Sequence, residues 1–134
     1  MSTVLSHEDL KLEFPARPES LDRARSALRI WLRDVGATPA ELFEIVTVCG
    51  ELCMNAIVHA YAADAGPLEI QGRCRDGEVE ITVRDRGRWR SPRGKSGGIG
   101  FSIVRAMTDC LFRHSKEDGT EALLRRRLKR GASI

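Results

Sequence analysis

The first third of the chain combines a strand-like hydrophobic pattern with a helix-like one. In residues 10–14, apolar side chains occupy every second position with Lys11 and Glu13 between them, which predicts a half-buried strand. Ser20 is then the expected N-cap of an amphipathic helix that closes near Gly36. The apolar positions of this helix recur at a helical period: Leu21, Ala24, Ala27, Leu28, Trp31 and Leu32.

A capping box marks the start of a second helix. Thr38 is the expected N-cap, Pro39 takes the first helical position, and Glu41 completes the box. We expect this helix to run to about His59 or Tyr61.

The rest of the chain is mainly strand-like. Residues 68–74 and 79–84 alternate apolar and polar side chains around Asp76-Gly77, a dipeptide typical of a tight hairpin turn. Three more elements are expected: a helix at 101–107 and two strands, at about 110–114 and 121–128, around a turn at 117–119. Early helices and mostly late strands predict an α+β, two-layer sandwich with a mostly antiparallel sheet and helices on one face.

Composition narrows the class of protein. With 134 residues, 42% hydrophobic and 31% charged, the chain is expected to form one domain over residues 1–134, its core spanning about 10–128. No apolar run approaches the roughly 20 residues that span a bilayer, and the N-terminus lacks signal-peptide features, so we expect a cytoplasmic protein without membrane contact. A net charge of +3 and few aromatic residues argue against direct nucleic-acid binding.

The cysteines give no sign of a metal site. No CxxC pair or Cys/His cluster joins them, so buried, reduced thiols are expected at Cys49, Cys53, Cys74 and Cys110.

The second helix carries a candidate catalytic pair. On a helical projection, Glu44 and Asn55 lie within about 40° of Glu51, opposite the core positions Cys49 and Cys53. The Asn carbonyl could hold an oxygen-preferring cation while Glu51 accepts a proton from a nucleophile. The alternative is that these residues only form the solvated face of an amphipathic helix.

Two further motifs suit a nucleotide. Asp85, expected directly after a strand, could accept a hydrogen bond from an exocyclic amine, and Gly87 would let backbone approach a flat ring; an ordinary Asp-x-Gly turn is the alternative. The glycines of residues 96–101 open a helix and suit phosphate binding, with a plain helix cap as the alternative. A P-loop and a dinucleotide fingerprint are both incomplete, because Trp89 and Ile103 occupy positions that need glycine.

In this order, the motifs resemble the GHKL ATPase/kinase superfamily, which has the Bergerat nucleotide-binding fold. Within it, the chain looks most like the anti-sigma-factor serine kinases of bacterial partner-switching systems. Residues 51–61, with their His-Ala-Tyr end, are similar to that family's N-box, and residues 98–104 to its second glycine box. The resemblance extends from about Leu10 to Leu128.

The resemblance implies a role for each site residue. Glu51 would be the general base and Asn55 the magnesium ligand. Asp85 would bind the adenine amino group, with Gly87 beside the ring and Thr120 supporting the adenine pocket. The phosphates would meet the second glycine box at Gly98, Ile99, Gly100 and Phe101.

The same resemblance implies an activity and partners. The expected protein is an ATP- and magnesium-dependent serine kinase that phosphorylates a small anti-sigma-factor antagonist and sequesters a sigma factor; related kinases commonly form homodimers. Residues 88–97 would be a short lid over ATP, although Trp89 replaces a glycine that is usual in the family's first glycine box. The alternative is a non-catalytic ATP-binding regulator that acts through partner binding alone. The ATP-binding part of a histidine kinase is disfavoured, because no helical hairpin with a phospho-acceptor histidine precedes the motifs.

Overall fold

A computed structural model describes residues 8–60, 66–86, 109–115 and 119–129, which form a helical layer on one antiparallel sheet. In chain order the elements are β1 (Leu10–Pro15), α1 (Pro18–Asp34), α2 (Pro39–Asn55), a π-helical turn (Ala56–Ala60), β2 (Pro67–Arg75), β3 (Glu78–Asp85), β4 (Asp109–Ser115) and β5 (Gly119–Arg127). The strand order is β1-β2-β3-β5-β4, and each of the four pairings is antiparallel. The predicted α+β sandwich is confirmed. The helix expected at residues 101–107 lies outside the described residues.

The core lies between the sheet and the two helices. Alternate residues of β2 and β3 are buried, as the period of the sequence predicted, and leucines of α1 pack on them. Trp31 is 7% exposed and covers Gly72, where an added Cβ would lie 2.9 Å from the indole ring. Its indole Nε1–H donates a hydrogen bond to the carbonyl oxygen of Glu8 at 2.9 Å. Neither α1 nor α2 has the length and apolar character needed to cross a bilayer.

Helix α1 begins earlier than the sequence indicated. Ser20 was expected as its N-cap, and this was wrong: the helix starts at Pro18, with Arg17 as an N-cap that makes no side-chain hydrogen bond. Proline suits this first position, because its fixed φ is helical and its missing N–H needs no partner. The end near Gly36 is confirmed, since Gly36 has a φ of 98° just beyond the helix.

The capping box at the start of α2 is confirmed and has a second partner. The Thr38 amide donates to Glu41 Oε1 at 2.9 Å, and the Glu41 amide donates to Thr38 Oγ1 at 3.1 Å. The other carboxylate oxygen of Glu41 accepts the amide of Lys129 at 2.7 Å, 88 residues further along the chain. One turn later, Glu44 forms an ion pair with Arg126 at 2.6 Å. The start of α2 is therefore joined to the end of β5.

Glu41 is ionised in this environment although it is only 2% exposed. Burial alone raises the pKa of its carboxyl, but hydrogen bonds from the Thr38 and Lys129 amides and the Thr38 hydroxyl, with the charge of Arg126, outweigh burial and hold the pKa below its ordinary value.

The end of α2 agrees with the sequence in extent but not in helix type. The α-helix ends at Asn55, and the chain continues to Ala60 as a π-helix. Such turns are rare and are frequently found at functional sites. The Asp76-Gly77 hairpin turn is confirmed, since both residues have the positive φ that this turn requires, 54° and 80°.

We expect Glu41→Gln to destabilise the protein by about 1–3 kcal/mol, the usual cost of leaving a buried donor unsatisfied. The glutamine has one acceptor oxygen for two backbone amides. Urea unfolding at pH 7 measures the change. Glu13→Gln is the matched control, since Glu13 is exposed on β1, and should stay within about 0.5 kcal/mol of the wild type.

The pH dependence follows from the lowered pKa of Glu41. The ionised carboxylate stabilises the fold above its ordinary pKa of about 4.3, and this contribution is lost as the pH falls through the lower, folded-state pKa. The stability difference between the wild type and Glu41→Gln should be constant from about pH 7 to 5 and shrink below about pH 4. A difference that grows toward acid would contradict this account.

Candidate functional site

Glu51 and Asn55 lie one turn apart in the last two turns of α2. Both are half-buried, while Cys49 and Cys53 on the opposite side are buried, so the predicted division of the helix into two faces is confirmed. Asn55 is the last α-helical residue, directly before the π-helical turn. A carboxylate and a carboxamide are thus presented together at the C-terminal end of the helix.

Glu44, on the same projected face, has a different environment. Its carboxylate is within 2.6 Å of the Arg126 guanidinium, and the two side chains are only 31% and 19% exposed. This ion pair ties α2 to β5, so we assign Glu44 to the framework and retain Glu51 and Asn55 as the candidate pair.

Asp85 lies inside the sheet rather than after it. The sequence placed it beyond the end of a strand, and this was wrong: β3 continues through Asp85, which is paired in register with Thr120 of β5. Both residues are buried, at 3% and 5% exposure, and the Thr120 amide donates to Asp85 Oδ1 at 3.3 Å. The structure therefore brings together two of the predicted site residues that are 35 positions apart in sequence.

Gly119 directly precedes Thr120 at this site, and the sequence placed it in the turn at residues 117–119. It has a φ of 95°, which favours glycine, and it begins β5 instead of lying in the preceding turn. An added Cβ would overlap the carbonyl oxygen of Asp85 and lie 2.6 Å from the Cα of Arg86. Only glycine allows the two backbones to approach this closely and brings the Thr120 amide to the Asp85 carboxylate.

The other predicted site residues lie outside the described part of the chain. These are the ring and phosphate positions Gly87, Gly98, Ile99, Gly100 and Phe101, together with Trp89 and the rest of the expected lid.

Among the described residues, the thiols and the acidic side chains do not form a second candidate site. Cys49, Cys53 and Cys74 are buried and lie outside any disulfide, as expected, whereas the side chain of Cys110 lies outside the described residues. Burial raises the pKa of Cys53 to about 12, despite the opposing charge of Arg25, so this thiol stays protonated at neutral pH. Within residues 8–60, 66–86, 109–115 and 119–129, no group of three or more His, Cys, Asp and Glu side chains could hold a metal ion.

The donor set fits a nucleotide with a hard cation. A buried carboxylate such as that of Asp85 can accept several hydrogen bonds, so the bond from Thr120 is compatible with a second donor such as an aromatic amine. The side-chain oxygen of Asn55 is a suitable magnesium ligand. The Glu51 carboxylate, four residues earlier, can accept a proton.

Known proteins resemble the chain over most of its length. A family model described as a histidine kinase-like ATPase domain matches residues 14–126. The anti-sigma F factor of Geobacillus stearothermophilus is 31% identical over 133 residues, covering 88% of this chain and 91% of that protein. The anti-sigma F factor of Clostridium perfringens strain 13 is 28% identical over 135 residues, covering 89% and 96%.

A solved structure is similar to the chain in fold. The crystal structure of the RsbU and RsbW domains of Rv1364c from Mycobacterium tuberculosis superposes with a TM-score of 0.78 at 29% sequence identity. The match covers 94% of this chain and 34% of that longer chain.

We expect Gly119→Ala to destabilise the protein by about 1–3 kcal/mol more than Gly36→Ala, the range for overpacking a closely packed site. Both substitutions place a side chain at positive φ, but nothing lies within 4 Å of a Cβ at Gly36, so that variant isolates the backbone strain. Urea unfolding of the two variants gives the comparison. Equal losses of stability in the two variants would show that the close contact with Asp85 does not contribute to the effect.

Proposed function

The chain belongs to the histidine kinase-like ATPase domain family, in the branch that contains the anti-sigma F factors, and from this membership we propose that it is an ATP-dependent protein serine kinase that also sequesters a sigma factor. Its substrate would be a serine on a small anti-sigma-factor antagonist in the cytoplasm. The observation that carries the proposal is the half-buried pair of Glu51 and Asn55 on one face of α2. The match to the solved RsbU and RsbW domains over 94% of the chain supports it.

The adenine end of the site is assigned to the start of β5. The buried Asp85 carboxylate would accept a hydrogen bond from the adenine amino group, while the Thr120 amide holds that carboxylate in place. Gly87 directly follows Arg86, the last residue described after β3, and would lie beside the adenine ring.

The phosphate end is assigned to the last turns of α2 and to the second glycine box. Bound ATP and magnesium supply the transferable phosphoryl group and neutralise its charge. The Asn55 carbonyl would ligate the magnesium ion. Glu51 would take the proton from the attacking serine hydroxyl. The main chain at Gly98, Ile99, Gly100 and Phe101 would contact the phosphates.

Regulation would depend on partner binding to this domain. Once phosphorylated, the antagonist would dissociate from the kinase, and the kinase would then bind the sigma factor. We propose a homodimer as the assembly in which this exchange takes place. If the wild-type protein binds ATP but transfers no phosphate to any candidate antagonist, a non-catalytic regulator that acts by partner binding alone would be favoured instead.

Glu51→Gln should lower phosphate transfer at least about 100-fold, the scale of lost general-base catalysis, while ATP still binds. Transfer of labelled phosphate from ATP to candidate antagonist proteins measures the first effect, and equilibrium dialysis with ATP and magnesium measures the second. Glu44→Gln is the control on the same helix, since Glu44 pairs with Arg126, and should change transfer only a few-fold. Undiminished transfer by Glu51→Gln would remove Glu51 from the mechanism.

Asp85→Asn tests the adenine assignment separately. The carboxylate is expected to prefer ATP, whose amino group donates, over inosine triphosphate, which has a carbonyl oxygen there. Asparagine can donate to that oxygen, so the ratio of the two affinities should fall by roughly 10- to 100-fold, as for a hydrogen bond to a charged group. Calorimetric titrations with both nucleotides give the ratio. An unchanged ratio would place the adenine elsewhere.

A further inference from the structure

Arg126 occupies a position on β5 where the alternation of the strand predicts an apolar side chain. Ala122 and Leu124 of this strand are buried against the helical layer, and Leu128 just beyond the strand is buried as well. Arg126 falls in the same alternation, beside the fully buried Val79 of β3, and its side chain is largely buried. A charge on this side of a sheet is unfavourable unless it has a partner, so the partner indicates what the arginine does.

The partner of Arg126 is Glu44 on α2. The Nη2 atom of the arginine lies 2.6 Å from Oε1 of the glutamate. Glu41, three residues earlier on the same helix, accepts a hydrogen bond from the Lys129 amide. A single bond of this kind fixes one point of α2 and leaves the helix free to turn about that point. The ion pair is a second contact almost one turn further on, and it removes this freedom.

The direction in which Glu44 points determines the direction of the candidate base. Glu44 and Glu51 are seven residues apart. Seven helical steps come to within about 20° of two full turns, so the two carboxylates project from one face of α2, about 10 Å apart along its axis. If α2 turned about its axis, both carboxylates would move together. Holding Glu44 against Arg126 therefore also holds Glu51 in one orientation relative to the sheet.

We propose that Arg126 is a positioning residue for phosphate transfer, whose ion pair with Glu44 sets the rotation of α2 and thereby the direction of Glu51. The inference rests on the proposed function, because the rotation affects transfer only if Glu51 acts on a hydroxyl beside bound ATP. Side chains end about 5–6 Å from a helix axis, so a turn of about 10° moves the Glu51 carboxylate by about 1 Å. A misplacement of this size can lower a reaction rate on the order of 100-fold.

Arg126→Met and Arg126→Lys form a matched pair of variants. Both new side chains are unbranched and of similar length, but only lysine keeps a positive charge for Glu44. With the antagonist protein identified in the Glu51 assay as substrate, kcat should fall at least about tenfold in Arg126→Met and no more than about threefold in Arg126→Lys. The Kd for ADP in EDTA, which reports the adenine pocket about 20 Å away along β5, should change less than about threefold in both. Glu44→Gln belongs with the lysine variant, because its amide oxygen still accepts from the guanidinium.

A double variant separates orientation from stability. Glu44→Leu combined with Arg126→Met replaces the ion pair by an apolar contact, an exchange that is often neutral or stabilising for buried pairs. The urea midpoint should therefore not fall, whereas kcat should stay at least about tenfold below that of the wild type. Arg73→Met is the control, since it removes a 3.2 Å ion pair with Glu80 from the outer face of the sheet, and should leave kcat within about twofold. A kcat that follows the urea midpoint across these variants would overturn the proposal and leave Arg126 a stabilising residue only.

Crystal structures of the wild type and the double variant give a measurement that does not depend on transfer. We expect α2 of the variant to be turned by about 10° or more about its axis, with the Glu51 carboxylate displaced by at least about 1 Å relative to β3 and β5. An unchanged orientation of α2 would overturn the proposal even if the kinase assignment holds. If the wild type transfers no phosphate to any candidate antagonist, the kinase assignment fails, and the orientation of α2 in the variant still decides whether Arg126 fixes the helix.

Discussion

The hydrogen bond from the Lys129 amide to the buried Glu41 carboxylate joins the first turn of α2 to the chain just beyond β5. A helix that contacts a sheet through apolar side chains alone can shift along it, because such contacts are not directional. The hydrogen bond to Glu41 and the ion pair between Glu44 and Arg126 are directional, so they fix the position of α2 on the sheet. Glu51 and Asn55 lie on the same rigid helix, so their position over the sheet depends on this link.

The opposite end of β5 is fixed just as tightly. Gly119 approaches the backbone of Asp85 and Arg86 so closely that no side chain fits, and Thr120 donates to the Asp85 carboxylate. One strand therefore carries a residue of the proposed adenine pocket at its start and positions the helix with the proposed catalytic pair at its end. This connection gives a physical route from the proposed adenine pocket to the helical layer.

Much of this framework could be predicted from local sequence. The Thr38–Glu41 capping box, the Asp76-Gly77 turn and the alternating strands depend on neighbouring residues, and all are present. The failures involve competition or distance: Pro18 displaces Ser20 from the helix start, and pairing with Thr120 extends β3 through Asp85. The sequence of a capping box is the same whether or not its glutamate accepts a hydrogen bond from a second amide. The link to Lys129 therefore could not be predicted from local sequence. The ring and phosphate positions from Gly87 to Phe101 stay predictions from resemblance.

Amide hydrogen exchange at Thr120 and Lys129 tests the central claim most directly, namely that β5 joins a nucleotide-binding half of the site to a helix-positioning half. Both amides donate to carboxylates and should be protected in the free protein. Adding ATP with magnesium should slow exchange at Thr120 at least tenfold, and at Lys129 in the same direction. Rapid exchange of both amides in the free protein, or no change at Thr120 with saturating ATP and magnesium, would contradict the account.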